Sequence, residues 1–571
     1  MAKIVLSANK QQFHLYCHFQ EKSKAQKAGG RWNPSKKSWD FAFDPKNLED
    51  VFVAFNDDVE IPDDIEEYIV KKEKELKQIE LIKEDAKENV LTDYSVKGLS
   101  FVEKNIDNPL YNYQRHGVRY GSVAEGGYLI ADEMGLGKSL QSLGIALLKK
   151  ERGARRCLIV CPASVKYNWL DEIHKFTNEK AIVIDGGVID RVEKWFDDST
   201  YFKIVNYEIF TRDLYVDGSS KSDNRIPDCE VILKDFFDVC LVDEIHYIKS
   251  HKAKRTKALK KLVSETKIGL TGTPIDGRLE ELHSIFDFLK PGLFSSKTMF
   301  MKRHAEYDYF GGVKGYKYVD EVKEKILPYY IRRLKKDVLT DLPDKIFQDI
   351  YVELDKDVHK EYKKLAKRTH EITEESEAVV ALIRCRQYCN FPVVLGIDKP
   401  SAKFKKLKES LELIVDDNKH KVIIFSQYKE TTDILVEELS SKYKLLYLNG
   451  DVSPIKRVQM CKDFNSDDLD YQIIIMTDAG STGINLQSAS YVIMYDDNYS
   501  PAIMQQRWDR AHRIGQKNTV NVVRFICKDT IEERVRVALD KKLEVNSKVL
   551  DEDYSEFSVG NFSAKDLSKL L

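Results

Sequence analysis

The chain lacks any apolar run near the roughly 20 residues that a bilayer-spanning helix needs, so no membrane association is expected. Its first residues, Met1-Ala2-Lys3-Ile4-Val5-Leu6-Ser7, lack the long apolar centre of a secretory signal. A soluble, intracellular protein is expected, in the cytoplasm of a bacterium or a virus-infected cell, or in a nucleus. An excess of one charge is also missing: 91 Lys and Arg stand against 93 Asp and Glu, a formal charge of −2. A surface coated in basic charge is excluded, and any nucleic-acid contact must be a local patch or cleft. Metal-ligand pairing is absent too. Nine cysteines are scattered over the chain, and neither Cys157/Cys161 nor Cys385/Cys389 is followed by a second pair or by His-x-x-x-His. Buried, reduced thiols are expected. There is no internal repeat and no low-complexity tract.

What is present is ample length, 571 residues, with 42% hydrophobic and 32% charged residues, which fits a globular protein of three or four domains. Residues 1–58 read as a small α+β domain in which strand-like runs (Ile4 to Leu6, Phe13 to Phe19, Trp39 to Phe43) surround the turn-rich Ala28-Gly29-Gly30-Arg31-Trp32-Asn33-Pro34. Over residues 1–48, nine Lys and Arg stand against three Asp and Glu, with Phe13, Tyr16, Phe19, Trp32, Trp39, Phe41 and Phe43 interleaved. Such a mixture suits nucleic acid, because phosphates attract the charge and bases stack on rings. The same rings equally suit the core of a small domain. Residues 59–98 read as a charged helical connector.

Beyond residue 99 short apolar runs recur, each followed by a helical stretch. One series is Tyr128-Leu129-Ile130, Cys157 to Cys161, Val239 to Val242 and Ile268-Gly269-Leu270; a second is Val422 to Phe425, Ile473 to Met476, Tyr491 to Met494 and Val520 to Val523. Continuous apolar runs are what burial on both faces of a parallel sheet requires. The spacing predicts two α/β lobes, at 99–290 and 401–535, separated by a helical region at 291–400 and followed by a terminal segment at 536–571. Ligands in such sheets bind at the carboxyl ends of the strands, where the polar motifs fall.

After Tyr128-Leu129-Ile130 comes Ala131-Asp132-Glu133-Met134-Gly135-Leu136-Gly137-Lys138-Ser139, which ends like a phosphate-binding loop opening a helix. Gly135 and Gly137 let backbone N–H groups turn toward phosphates, Lys138 reaches the outer phosphates, and Ser139 can ligate Mg²⁺. Asp132 holds the position where such a loop usually has its first glycine. About 105 residues after Lys138, a second strand ends in Asp243-Glu244-Ile245-His246. There Asp243 can hold Mg²⁺ and Glu244 can polarise an attacking water. Upstream, Gln114 offers an amide that can pair with an adenine edge.

With these motifs in order, residues 105–570 resemble the Swi/Snf family of superfamily-two helicase-related ATPases, translocases on double-stranded DNA. The resemblance implies two RecA-like lobes, ATP and Mg²⁺ as cofactors, and double-stranded or branched DNA as partner. It makes Gln114 the adenine reader and Asp132 to Ser139 the family's variant phosphate loop, and it gives Leu270-Thr271-Gly272-Thr273-Pro274-Ile275 the coupling of hydrolysis to lobe movement. Ile245 stands where the family more often has Ala. In the second lobe, Val422 to Gln427, Thr477 to Leu486 and Gln506 to Gln516 resemble its main motifs. Arg510 and Arg513 are three apart, which on a helix puts them on one face, and they are expected to stabilise charge on the transferring phosphate. Expected DNA-backbone contacts are Ser164, Lys166, Ser426, Gln427, Thr477 and Thr482. Tyr329 to Leu339 resembles the family's helical protrusion and linker, with basic charge that can touch DNA, and Leu550 to Leu571 its closing segment.

The plain core and the short chain resemble the annealing-helicase branch, without a residue-by-residue match for the N-terminal domain. The expected function is an ATP-driven, monomeric duplex-DNA translocase in repair, recombination or fork remodelling, without strand separation. Two alternatives stand beside it: a motor that displaces RNA polymerase or another DNA-bound protein, and a nucleic-acid scaffold with a dormant ATPase. Intact Lys138, Asp243, Glu244, Arg510 and Arg513 weigh against the scaffold.

Overall fold

The structure, a computed structural model, describes residues 2–7, 12–62, 65–87, 102, 110–124, 126–215, 226–272, 279–307, 309, 312–339, 342–370, 375–466, 468–480, 484–537 and 539. These residues divide into two compact units, with the boundary between Val338 and Leu339. All nine cysteines are free thiols, and all but Cys17 are buried.

The first unit opens with β1 (Ala2–Leu6), β2 (Gln12–Tyr16), β3 (Arg31–Asn33), β4 (Ser38–Ala42) and β5 (Val59–Glu60), in the order β3-β4-β2-β1-β5. All pairings are antiparallel except β1 with β5. The helix Pro45–Phe55 covers one face. It starts where Asp44 accepts from the Lys46 N–H at 3.0 Å with Pro45 in the first turn, and stops at Asn56 in the left-handed region. Phe13, Trp39, Phe41 and Phe43 pack against Leu48, Val51 and Phe55, so these four rings are core. Tyr16, Phe19 and Trp32 are exposed instead. The domain sits directly on the rest of the unit: the Ala42 N–H donates to Gly292 O at 3.0 Å, and the Tyr329 hydroxyl donates to Asp44 at 2.8 Å. Gly292 has φ +87°, and a Cβ there would lie 2.6 Å from Ala42 N, so this contact requires glycine.

The mixed-charge connector forms the helix Ile65–Lys87. Then follow β6 (Gly127–Ile130), β7 (Cys157–Cys161), β8 (Ala181–Val183), β9 (Phe202–Asn206), β10 (Val239–Asp243) and β11 (Thr266–Leu270), a hairpin of β12 (Ala305–Tyr307) and β13 (Val313–Tyr316), and β14 (Tyr330–Ile331). Seven of these make one parallel sheet, β14-β6-β11-β10-β7-β9-β8. β6, β7, β9 and β11 are buried at every residue, as their apolar runs require. β14 corrects a sequence expectation. Tyr329 to Leu339 is not a continuous helix: its Tyr330-Ile331 pair adds a parallel edge to β6, and only Lys335–Val338 forms a helical turn.

Two neighbouring histidines, His283 buried and His251 half-buried, share a hydrogen bond. His283 Nε2 donates to Ser295 O at 2.9 Å, so its Nδ1 accepts from His251 Nε2 at 3.1 Å, and His251 Nδ1 accepts from Lys260 at 3.0 Å. That chain of donors needs both rings neutral. Burial, then the Lys260 charge and the neighbouring His283 ring, hold His251 down at about 3, and burial lowers His283. In the unfolded chain each ring takes a proton near pH 6.5; the folded state refuses it. Stability therefore falls as pH drops below about 6.5, with a slope of at most about 1.4 kcal/mol per pH unit and proton, reduced by solvent screening because His251 is only half-buried. Thermal melts between pH 7 and pH 5 are expected to show this fall, and His251→Asn is expected to flatten it. An unchanged slope in His251→Asn would exclude this ring as the cause.

The second unit is built on β15 (Lys345–Val352), β16 (Lys421–Phe425), β17 (Leu445–Leu448), β18 (Ile473–Met476), β19 (Ala489–Met494) and β20 (Val520–Cys527). They form one parallel sheet in the order β15-β20-β19-β16-β18-β17. Alternate residues feed separate cores on its two faces: Val422, Ile424, Ile473 and Ile475 on one, Ile423, Phe425, Ile474 and Met476 on the other. Both large sheets are therefore parallel and covered on both faces, the α/β class expected from the apolar runs.

Candidate nucleotide site

In the first unit, β11 lies between β6 and β10. The loop Ala131–Gly137 leaves the carboxyl end of β6, Asp243 ends β10, and Thr271-Gly272 leaves β11 between them. Strands spaced about 4.8 Å apart bring these three segments within about 10 Å of one another. Gly272 touches the loop: a Cβ there would meet Met134 Cγ at 2.4 Å and come within 3.6 Å of Lys138 Nζ.

Gly135 and Gly137 have φ +89° and +72°, which lets the loop turn before the helix Lys138–Glu151 begins. The helix opens at Lys138, so its first N–H groups and its positive end face the loop. Lys138 Nζ donates to Asp132 O at 2.7 Å and Glu133 O at 3.2 Å. Gln114 lies in the helix Asn112–Val123; its Nε2 donates to Leu136 O at 3.3 Å, and its Oε1 accepts from Tyr111 N at 3.0 Å. Asp132 behaves differently from a ligand-facing residue. It is fully buried, and its carboxylate is held by Arg333 and Gln141.

On β10, Asp243 Oδ2 accepts from Trp169 Nε1 at 2.9 Å and Oδ1 from Glu244 N at 2.9 Å. Burial, and then the Glu244 charge, push the Asp243 carboxyl up to about 7, against the pull of these two donors. A carboxylate whose ionisation is opposed this strongly is stabilised by a cation. With the Ser139 hydroxyl it offers hard oxygen donors, which fit Mg²⁺. Glu244 has φ +48°, uncommon for a residue with a side chain, and its carboxylate lies 3.2 Å from His246 Nδ1. Trp169 and Tyr207 both hold the turn, the latter by donating its hydroxyl to Asp243 O at 2.7 Å. Trp169 lies 74 residues before Asp243, and sequence spacing gives no sign that it reaches the carboxylate.

Lys166, in the helix Lys166–Phe176, pairs with Asp185 at 3.0 Å; Ser164 lies in the preceding turn and is half-buried.

In the second unit, Ser426 is fully buried with its hydroxyl donated to Asp496, and Gln427 N donates to Asp496 at 2.9 Å. Thr477 is also buried, and Thr482 lies outside the described residues. Asp496 lies two residues beyond the end of β19, a strand-end position of the kind where polar functional residues fall. The helix Pro501–Trp508 stops short of Arg510 and Arg513, which lie in the turns after it rather than on one helical face. Arg513 Nε donates to Asp509 O at 2.9 Å, and Arg510 is buried beside Ile484 O at 3.4 Å. Arg507, to which sequence reading gave no separate role, grips Asp478 with two hydrogen bonds of 2.7 and 2.9 Å and donates to Asp496 O. Leu550 to Leu571 lie outside the described residues.

Residues 64–394 match the SNF2-related domain and residues 402–515 the helicase conserved C-terminal domain. An uncharacterized ATP-dependent helicase of Mycoplasma genitalium is 32% identical over 490 residues, covering 82% of this chain and 45% of the relative. The DNA annealing helicase and endonuclease ZRANB3 of Bos taurus is 28% identical, covering 81% of this chain and 42% of the relative. The chain thus spans about half the length of the curated relatives it matches. Among solved structures, the Sulfolobus solfataricus SWI2/SNF2 ATPase core in complex with double-stranded DNA is 27% identical at a TM-score of 0.38, covering 82% of this chain and 98% of that one. No helix among the described residues is long and apolar enough to cross a membrane.

Proposed function

We propose, on the premise that this chain belongs to the SNF2-related family of helicase-type ATPases, that it hydrolyses ATP at the strand ends of its first unit and spends the energy moving along duplex DNA without separating its strands. One observation carries the reading: the phosphate loop with Lys138 and the Asp243-Glu244 pair leave β6 and β10 on the two sides of β11. Lys138 and the loop N–H groups hold the phosphates. Asp243 and Ser139 would hold Mg²⁺, which supplies charge neutralisation on the phosphates. Glu244 takes the proton of the attacking water, and Arg510 and Arg513 stabilise charge on the transferred phosphate. Repair, recombination or fork remodelling is the proposed setting, supported by the likeness to a DNA annealing helicase.

The N-terminal domain is proposed to touch unpaired bases. Trp32 and Phe19 are 49% and 75% exposed, and Lys22 stands 4.2 Å over the Phe19 ring. Stacking on such rings is worth about 1–3 kcal/mol per base. Because Ala42 and Asp44 dock on the neighbouring lobe, deleting the domain would uncover that face, and point substitution is the cleaner test.

ATP turnover measured with no polynucleotide, duplex, single-stranded, forked and junction DNA, and RNA tests both parts. Duplex or branched DNA is expected to stimulate turnover at least tenfold, with a steep loss of stimulation at high salt because phosphate contacts release counterions. Trp32→Ala with Phe19→Ala is expected to weaken binding to forked DNA about fivefold or more while basal turnover stays the same. Hydrolysis indifferent to every polynucleotide would favour the dormant-scaffold reading.

A further inference from the structure

The loop that begins the nucleotide site is held from outside itself. After β14 the chain continues alongside the loop: Ala131 N donates to Ile331 O at 2.8 Å, Glu133 N to Arg333 O at 2.9 Å, and Lys335 N to the Glu133 carboxylate at 2.8 Å. The Arg333 guanidinium is buried. Its Nε donates to Asp132 Oδ1 at 2.9 Å and its Nη2 to Asp132 Oδ2; Nη2 also donates to Gln141 Oε1 at 2.5 Å, and Nη1 donates to Tyr113 O. Gln141 Nε2 in turn donates to Asp132 Oδ2 at 3.0 Å and to Leu136 O at 3.3 Å. Leu136 O also accepts from Gln114 Nε2 and from the Tyr113 hydroxyl. One arginine therefore ties together Asp132 of the loop, the first turns of the phosphate helix and the helix that carries Gln114. The space for it is specific: a Cβ on Gly117 would overlap Gln141 Oε1 at 1.9 Å and crowd Arg333 Nη2 at 3.1 Å.

We infer that Arg333 is a positioning residue for the nucleotide, which sets the shape of the phosphate loop through Asp132. This deepens the ATPase reading and rests on it. It also explains why Asp132 occupies a position where such loops usually have glycine: the side chain is buried in the protein and is the handle by which the segment after β14 grips the loop. A bidentate guanidinium–carboxylate pair suits that task because it fixes orientation as well as distance. Arg333 lies six residues before Leu339, where the chain enters the second unit, so a pull on this connecting segment reaches Asp132 directly.

The test compares Arg333→Gln, Arg333→Lys and the double variant Asp132→Asn/Arg333→Gln with the parent protein. The double variant removes both buried charges at once, so it remains folded if the lone Asp132 carboxylate left by Arg333→Gln does not. KM and Kd for ATP are expected to rise at least tenfold in Arg333→Gln and at least fivefold in the double variant, with duplex-DNA affinity unchanged within twofold. Arg333→Lys is expected to recover less than half of the loss on a logarithmic scale, because one ammonium cannot make the paired contact. Hydrogen exchange of the Ala131–Gly137 amides is expected to quicken in the same order, and this readout needs no nucleotide. If the parent protein neither binds nor hydrolyses ATP, the functional reading falls, while the exchange pattern still decides the clamp. Parent-like ATP affinity and loop exchange in the folded variants would overturn the inference. So would a loss confined to DNA affinity, which would make the segment a DNA contact.

Discussion

Glu244→Gln is expected to lower kcat by about 10²–10⁴-fold, the range for removal of a positioned general base, while ATP affinity stays within about threefold of the parent value. The substitution keeps the size and the backbone at a position with φ +48°, so the turn after β10 survives it. What it removes is a carboxylate 3.2 Å from His246 Nδ1, beside the half-buried Asp243. A neutral amide cannot accept the proton of an attacking water. It also lifts one of the influences that push Asp243 up to about 7, burial being the largest. Asp243 therefore ionises more readily in the variant, and Mg²⁺ affinity is expected to hold or improve. Binding of a fluorescent ATP analogue and single-turnover hydrolysis, measured on one preparation, separate these effects. Turnover within tenfold of the parent would remove Glu244 from the chemistry. Weakened Mg²⁺ binding would mean that Glu244, and not only Asp243, faces the metal.

The parts of this site that were legible in the sequence share a physical reason. A strand buried on both faces must be apolar throughout, so Cys157 to Cys161 and Ile473 to Met476 announce themselves, and a polar residue directly after such a run has to lie at a strand end. That rule places Asp243, Glu244 and the phosphate loop. It gives no purchase on β14, because a two-residue edge strand has no periodicity and its basic neighbours look like a solvated helix. The Arg333–Asp132 pair joins positions 201 residues apart, and charge alone cannot say which of many arginines crosses that distance. Arg510 and Arg513 were read at helical spacing, but spacing does not reveal that the helix has ended at Trp508. In the N-terminal domain, alternation along β4 marks Trp39 and Phe41 as a facing set, yet the partner ring Trp32, opposite Trp39 on the edge strand β3, is half out in solvent. Edge position, which depends on the order β3-β4-β2-β1-β5, decided which ring is free to stack.

Lys138→Ala is expected to fail one step earlier than Glu244→Gln, by losing the nucleotide. Lys138 Nζ donates to the carbonyls of Asp132 and Glu133, so the ammonium already lies against the loop and needs only to exchange two neutral acceptors for phosphate oxygens. Hydrogen bonds to a charged partner are worth about 1.5–3 kcal/mol each. Losing two corresponds to roughly 10²–10⁴ in affinity, which puts ATP binding beyond millimolar concentrations if the parent binds in the micromolar range. Stability is expected to change little, since the side chain is only partly buried and the loop keeps its fastening through Arg333, Gln141 and Gln114. A melting temperature within a few degrees of the parent, with ATP affinity lost, is the expected pair of results. If affinity fell less than tenfold, the loop would not be gripping phosphates through this lysine, and the fit of the motif to its strand end would be coincidental. Set against Glu244→Gln, the two variants divide the site along the chain: the lysine that closes the loop after β6 decides whether the nucleotide is held, and the residue after β10 whether it is cleaved. A protein that only binds nucleotide would respond to the first substitution and ignore the second.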